Sequence, residues 1–547
     1  MKARKILRQR AGLVVCIALV TLVSGSLASR FLRLTPPARM HTFPDDSFYY
    51  MVPALNIARG LGPTADTITR TSGYHPLWMA LLAGLARLCD CDKLAYFDLV
   101  IVTGMVLHAV TALLVYLSAV RFMPQVHAVA LSAIFLTIER GFLDALGGIE
   151  ASLVTAVLAA LLWVDTSRSL SSPRRIIRGI CLGLLFLART DAFMFIVAYL
   201  GVHAAVILVK EKAGLAGLVR SLGPVVAGAA VTCAPWFVIS WHVYGALFQG
   251  SQVTKQFWRS RMLEHSSIGD TVRFSFGMFR SWLANVEALY PERLSILLSF
   301  LGGIAVLRLA EGPRSPREPP DGTHGGSLQH LVTILTALGV YVIGAGLFYA
   351  TQFVETRRWY FAGARMLWVV AVMILCAFAF ETTSRRLPRR VLQVISGVML
   401  ALVAMSTVRA AMRYSFEDAA RGPGQFVTMA EYINANLPQN AIIGAYSSGI
   451  LSYFCERRVI NLDGLANNEI VAVARARRMD AYLDGKGVTY LADHESIVRP
   501  GFNVGLQLDG DPRYLKRLRE LHRVPDPSVF GDIVLWEVVP RDDRERA

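Results

Sequence analysis

The chain has 547 residues, 54% of them hydrophobic and 18% charged, with a mean hydropathy of +0.44 and a formal net charge of +16. It is too apolar for an ordinary soluble protein and too long for a single anchor, so the composition describes a polytopic α-helical membrane protein. Lys and Arg fall between apolar segments rather than along a soluble stripe, which speaks against nucleic acid, and the seven cysteines support neither a disulfide framework nor a zinc site.

A hydrocarbon core of roughly 30 Å needs about 20 apolar residues to cross it. The candidate spans are 11–29, 97–119, 126–139, 150–165, 176–189, 191–209, 221–241, 292–309, 329–351, 366–382 and 390–410, about eleven in all. The basic start, Met1 to Arg10, followed by an apolar stretch without a small-residue cleavage site, reads as an uncleaved first span. Behind it runs Thr42–Trp78, with the acidic pair Asp45-Asp46, an aromatic run, a helix over Phe48–Ala58 and Gly73-Tyr74-His75-Pro76-Leu77-Trp78. Pro76–Leu88 is apolar but short, and reads as a juxtamembrane or re-entrant helix. Two carboxylates this close to lipid are costly to desolvate without partners or work to do. The plainer reading makes them a solvated loop with an Asp N-cap.

With the N-terminus in the cytoplasm, alternate connections are basic: Arg121; Arg168, Arg174, Arg175 and Arg178; Lys210, Lys212 and Arg220; Arg308, Arg314 and Arg317; Arg385, Arg386, Arg389 and Arg390. The opposite face then collects Asp45, Asp46, Tyr74, His75, Asp144, Glu150, Arg189, Asp191, the loop to Lys255, Glu355 and Arg357-Arg358-Trp359-Tyr360. Any one of these could be a cap or an interfacial anchor; their convergence on one face is the stronger signal. Residues 311–327 have the composition of a flexible cytoplasmic linker, and 245–290, long, basic and aromatic, would be a lid or a surface helix.

Beyond 410 the hydropathy falls, and 411–547 read as a small extracytoplasmic α/β domain behind a transmembrane domain of 1–410. Helices fit Gln425–Leu437 and Ser447–Phe454, and strands fit Ala441–Ala445, Val459–Leu462, Val488–Leu491 and Ile533–Val538. Tyr446-Ser-Ser-Gly449 and Asn461-Leu-Asp463-Gly464 fall at strand ends, where ligands bind and where turns use the same residues. A structural or acceptor-guiding role fits this domain better than catalysis.

A carboxylate near basic groups at a membrane face suits transfer of a sugar from a lipid-linked phosphate, the acid activating an acceptor hydroxyl and the cations neutralising the departing phosphate. Asp45 or Asp46 would be the base; Lys255, Arg357 and Arg358 are phosphate candidates, followed by Arg189 and Arg140, with Tyr74, His75, Glu150 and Tyr360 as further substrate contacts. No P-loop, dinucleotide fingerprint or Ser-His-Asp pattern points elsewhere.

The motifs Asp45-Asp46, Gly60-Leu-Gly62, Gly73 to Trp78, Gly147-Gly-Ile-Glu150, Leu187-Ala-Arg189-Thr-Asp191, Gly245 to Lys255, Arg358-Trp359-Tyr360 and Asn461 to Gly464 together resemble the GT-C superfamily of integral membrane glycosyltransferases. They are similar to the branch containing mycobacterial terminal arabinofuranosyltransferases. Gln249-Gly-Ser-Gln stands where similar proteins carry a proline, and Tyr74-His75 where the arabinosyl branch has threonine-asparagine. The resemblance implies a GT-C-like fold with juxtamembrane helices in the first external loop, an acid of that loop as base, inversion at the anomeric carbon, and a polyprenyl-phosphate sugar donor. The acceptor would be a glycan, lipid or protein of the cell envelope, outside a bacterial cytoplasmic membrane. Two carboxylates could also hold Mg²⁺ or Mn²⁺, although a general base needs no metal. The rival readings are a transporter or flippase for lipid-linked glycans, which would place charges near the midplane and show repeated spans, and a non-catalytic assembly subunit.

Overall fold

The structure, a computed structural model, describes residues 2–35, 38–39, 43–137, 139–167, 172–247, 249–287, 325–383, 398, 402, 405, 409, 424–498 and 512–540. The expected span 292–309, most of the span 390–410 and of the linker 311–327, and the domain boundary at 410 lie outside these residues.

The protein is a multi-pass helical membrane protein. Among the described residues, six helical stretches are long and apolar enough to cross a bilayer: Ala11–Leu32, Lys93–Ala119, Thr190–Val209, Gly214–Tyr244, His330–Gln352 and Arg358–Leu375. They belong to helices α1 (Lys2–Leu32), α4 (Lys93–Ala119), α9 (Phe193–Ala205), α10 (Gly214–Tyr244), α13 (Gly325–Gln352) and α14 (Ala362–Thr383). The shorter helices α5 (Gln125–Thr137), α7 (Ala151–Asp165) and α8 (Ser172–Ala188) pack among them, with the short α6 (Glu139–Leu146) linking α5 to α7. The near-continuous apolar run 176–209 is broken at Arg189, whose backbone is extended (φ −159°, ψ 113°) before a short turn, Thr190–Ala192. That break carries a charged residue into the bundle end where α8 meets α9. In lipid, helices associate through close packing rather than hydrophobicity, and α8 crosses α10 on small residues. A Cβ on Gly179 would stand 2.0 Å from the Val225 carbonyl oxygen, so only glycine fits there.

Two helices lie between the first spans: α2 (Asp45–Ala58) and α3 (Pro76–Leu88), the latter with the bounds its composition implies. The stretch after α10 folds into α11 (Gly250–Met262) and α12 (Ile268–Glu287). The chain ends in an α/β region formed by α15 (Gly424–Asn436), β1 (Ile442–Ala445), α16 (Gly449–Phe454), β2 (Arg458–Asn461), α17 (Ile470–Arg475), α18 (Met479–Gly485), β3 (Tyr490–His494), β4 (Leu518–Val524) and β5 (Ile533–Val538). Strand order is β2-β1-β3-β5-β4, parallel across β2, β1 and β3 and antiparallel from β3 onward. The four strands expected from sequence are present; β4 is an addition, an edge strand whose residues, Leu-Arg-Glu-Leu-His-Arg-Val, are exposed or half-buried up to the buried Val524, with no alternating apolar face to announce it. One face of the sheet, around Leu491, Val534 and Trp536, packs a core of its own, while the other, with Ile443, Ala492 and Leu535, is continuous with the helical core; α16 packs on α2 with Phe48 against Tyr453 and Phe454.

Candidate active site

The site is organised by α2. Pro44 is its N-cap, so Asp45 and Asp46 occupy the first helical turn, where the helix dipole favours negative charge, rather than capping a helix that begins at Phe48. Successive helical residues project about 100° apart, so the two neighbouring acids face different surroundings.

Asp45 faces the α/β region. Its Oδ1 accepts the Ile450 N–H at 2.7 Å and its Oδ2 the Gly449 N–H at 3.3 Å, which joins α2 to the start of α16. A Cβ on Gly449 would lie 2.3 Å from the Asp45 carbonyl oxygen, so this contact requires glycine. One turn along, the Tyr49 hydroxyl lies 3.0 Å from the Tyr446 carbonyl oxygen and 3.1 Å from Asp463 Oδ2, and accepts the Ser448 N–H at 3.3 Å. Burial pushes the Asp45 carboxyl up to about 7, helped by the charges of Asp46 and Asp493 and opposed by the two N–H groups. Burial likewise raises Asp463 to about 8, with the Leu465 N–H, Asn461 and Tyr49 opposing the shift.

Asp46 faces the bundle. It lines a cavity of about 760 Å³ together with Tyr50, His75, Glu150, Arg189, Gln249, Lys255 and Tyr360, walled on the apolar side by Phe193, Phe348, Tyr349 and Phe353. Burial raises the Asp46 carboxyl as well, against the attraction of Arg357 and then Lys255. Lys255 projects from α11 and donates to the Tyr360 hydroxyl, with its ammonium 5.0 Å from that ring's centroid. Burial disfavours its charge, but Tyr360, Glu355 and Asp46 outweigh burial and raise its pKa, so the buried lysine is a cation. Helix α11 is held over the cavity by the α/β region: Thr254 Oγ1 donates to the Gly464 carbonyl at 2.9 Å and Trp258 Nε1 to that of Asp463 at 3.2 Å. Of the two readings of 245–290, α11 fits the cover over a site.

Arg189 is fully engaged. Nη1 donates to Glu150 at 2.8 Å, Nε to Asp191 at 2.8 Å, and Nη2 to the Tyr349 hydroxyl at 3.2 Å. The His75 Nδ1 accepts the Thr190 N–H at 3.2 Å and the Gln249 side-chain amide at 3.0 Å, while its Nε2 lies 3.7 Å from Glu150. Burial and the charges of Arg189 and Lys255 hold this imidazole well below its usual pKa, so it is neutral.

Of the residues picked out by sequence, Asp46, His75, Glu150, Arg189, Lys255 and Tyr360 therefore share one cavity. Arg357 pairs with Glu355 at 2.7 Å, and its charge acts on Asp46. Three go elsewhere. Asp45 is turned to α16; the Tyr74 hydroxyl meets that of Tyr244 at 2.5 Å while its carbonyl accepts from Gln249; Arg358 lies 3.7 Å from Asp144, which Arg365 also holds at 2.7 Å. The side chain of Arg140 lies outside the described residues. Sequence reading gave no site role to Tyr49, Tyr349 or Gln249; the aromatic run after Asp46 hinted at the first, and the Gly245-to-Lys255 motif contains the last.

The two carboxylates of the acidic pair do not converge on one point. Asp45 and Asp46 diverge, both Asp45 oxygens are taken by N–H groups, and among the described residues no group of three or more His, Cys, Asp or Glu converges.

A family model described as a domain of unknown function (DUF8728) matches residues 412–533. Comparison with curated proteins finds no match. Solved structures resemble the chain over nearly its whole length. ArnT from Cupriavidus metallidurans bound to undecaprenyl phosphate is 13% identical, covers 97% of this chain and 99% of its own, and superposes with a TM-score of 0.55. AglB from Archaeoglobus fulgidus, an archaeal oligosaccharyltransferase in complex with an inhibitory peptide and a dolichol-phosphate, is 14% identical over 96% of this chain and 74% of its own, with a TM-score of 0.51. At these identities the likeness is one of fold. The fold is GT-C-like.

Proposed function

We propose that the protein is an inverting glycosyltransferase that moves a sugar from a polyprenyl-phosphate donor to a cell-envelope glycan, lipid or protein. The observation that carries this reading is the placement of Asp46 in one cavity with the buried cation Lys255, within the influence of Arg357, while Asp45 is spent on the α/β region. Asp46 takes the proton of the acceptor hydroxyl as its oxygen forms a bond to the anomeric carbon. The bond from that carbon to the phosphate oxygen breaks, and the polyprenyl phosphate leaves with the electron pair. A carboxyl raised by burial is a stronger base than a free aspartate, which suits proton abstraction near neutral pH. Lys255 and Arg357 stabilise the negative charge that develops on the departing phosphate. Arg189 is occupied by Glu150 and Asp191, and acts in this mechanism by fixing Glu150, and through it the neutral His75, on the cavity wall.

The ArnT and AglB structures hold undecaprenyl phosphate and dolichol-phosphate respectively, which supports a lipid-phosphate donor here. The aromatic wall of Phe193, Phe348 and Phe353 suits the first isoprenyl units, with the remaining tail between the spans. In this reading residues 1–410 form the catalytic domain, the N-terminus is cytoplasmic, and 411–547 lie outside a bacterial cytoplasmic membrane. No step is routed through a metal.

The test is transfer by purified protein in nanodiscs, offering a panel of polyprenyl-phosphate hexoses and pentoses, arabinofuranose among them, with cell-envelope extract as acceptor. Product from wild type and none from Asp46→Asn is expected, and the productive donor names the sugar. Equal turnover in both would overturn the assignment of the base, and movement of donor lipid across the bilayer without transfer would favour a flippase.

A further inference from the structure

A second cleft lies along the later turns of α2, beyond the residues that face the catalytic cavity. It is an open cleft of about 1330 Å³ between Val52, Leu55 and Arg59 of α2, the following loop, Lys93 at the start of α4, and the α/β region from Gln439 to Val459. From Asp46 to Arg59 is 13 residues, or about 20 Å along the helix axis at about 1.5 Å per residue.

Its charge is unbalanced. Four cations, Arg59, Lys93, Arg457 and Arg458, face two acids, Asp66 and Glu456. Asp66 is already committed, its Oδ1 accepting the N–H groups of Ile68 at 2.9 Å and Thr69 at 2.6 Å. Among the described residues the Glu456 carboxylate pairs with Arg457, at 3.4 Å. Arg457 is buried; its Nη2 donates to the carbonyls of Asn434 at 2.9 Å and Leu437 at 2.7 Å, but its Nε has no hydrogen-bond partner among the described residues. Among the described residues the Arg59 guanidinium reaches one acceptor, the Cys91 carbonyl at 3.4 Å, and Arg458, exposed at the start of β2, has no ion pair. On the rim, Thr67 has φ +69°, a left-handed conformation that a β-branched residue avoids and that persists where surrounding structure enforces it, commonly around ligands.

The cleft also sits near the bilayer surface, since Lys93 opens a helix able to span a membrane and the nearby side chains of Leu61, Ile68 and Leu88 are exposed. Guanidinium groups with free donors bind tetrahedral oxyanions through paired, charge-assisted hydrogen bonds. We infer that this cleft is an anion site that takes a phosphate group, distinct from the donor site at Lys255. Such a phosphate belongs either to an anionic phospholipid headgroup or to a soluble phosphate-bearing ligand. The chemistry of recognition is the same, with Arg59 and Arg458 closing on the phosphate oxygens from opposite walls.

The experiment compares wild type, Arg59→Gln/Arg458→Gln and Arg273→Gln/Arg519→Gln, the last removing the same charge from distant exposed positions. Each full-length protein is placed in phosphatidylcholine nanodiscs with or without phosphatidylglycerol. Native mass spectrometry counts retained phosphatidylglycerol, and thermal shift reads the affinity for inorganic phosphate. Loss of a retained phosphatidylglycerol in the cleft variant alone identifies a lipid headgroup. Phosphate affinity weakened about tenfold in the cleft variant alone, as expected for losing charge-assisted bonds, identifies a soluble ligand. Equal behaviour of both variants, whether like wild type or equally weakened, overturns the site. Should the double variant fold poorly, Arg458→Gln alone, on an exposed strand end, supplies the same comparison.

Discussion

Asp45 and Asp46 are neighbours in the chain and belong to two different regions of the molecule. One closes the seam between α2 and the α/β region, where backbone N–H groups and a tyrosine hydroxyl satisfy buried oxygens. The other lines the cavity, where it has the buried cation Lys255 nearby and open space before it. The contrast teaches that an acidic pair at a membrane face is not one functional unit: helical geometry assigns each carboxylate its own partners, and the partners decide whether it holds structure or stands ready for a proton.

The strongest way to break that comparison is to exchange the two losses. Asp46→Asn keeps shape and removes the proposed base, and turnover should fall by about 10²–10⁴-fold, the usual contribution of a general base, with a thermal midpoint no lower than that of wild type. Lys255→Met should come next, lowering kcat by about 10²–10³-fold as for removal of one charge-stabilising donor, with Lys255→Arg recovering part of it. Initial rates at saturating donor check both. Asp45→Ala acts on the seam instead. It leaves the buried Ile450 and Gly449 N–H groups without an acceptor, at a cost of about 1–3 kcal/mol, and should appear as a lower thermal midpoint and faster proteolysis of the α/β region. Its turnover should fall by less than that of either cavity variant. A rate loss as large as that of Asp46→Asn with an unmoved midpoint would erase the distinction between seam and cavity.

Hydrophobic patterning made the membrane bundle legible, and the Pro76–Leu88 helix with it, because lipid demands long apolar helices and leaves few alternatives. Charge asymmetry gathered Glu150, Arg189 and Lys255 as candidates although they lie up to 105 positions apart in the chain. What sequence did not separate was Asp45 from Asp46, since that depends on α16 arriving from some 400 residues away with a glycine at its first position. Nor did it show that Arg358, beside Arg357, turns to Asp144, or that Tyr74 meets Tyr244; these are tertiary pairings with no local signature. The α/β region read as structural or acceptor-guiding because the residues at its strand ends serve turns as readily as ligands. In place, Asn461 to Gly464 hold α11 through Thr254 and Trp258 and so set the height of Lys255.

The seam also has its own dependence on pH. Asp45, pushed up to about 7, and Asp463, up to about 8, both lie above the ordinary aspartate value of 3.8 that they regain on unfolding. The folded state therefore binds more protons than the unfolded one across this window. The stability these groups contribute is fully present below about pH 4 and declines as pH rises through 7 and then 8, by up to about 1.4 kcal/mol per pH unit for each proton. Asp463→Asn removes one of the two titrations while keeping an acceptor for Tyr49, so its thermal midpoint should gain on that of wild type steadily between pH 5 and about pH 8 and run parallel above it. A profile for Asp463→Asn parallel to wild type throughout would mean that Asp463 is ionised in the folded protein and that Tyr49 and its neighbours stabilise a buried carboxylate rather than a carboxylic acid.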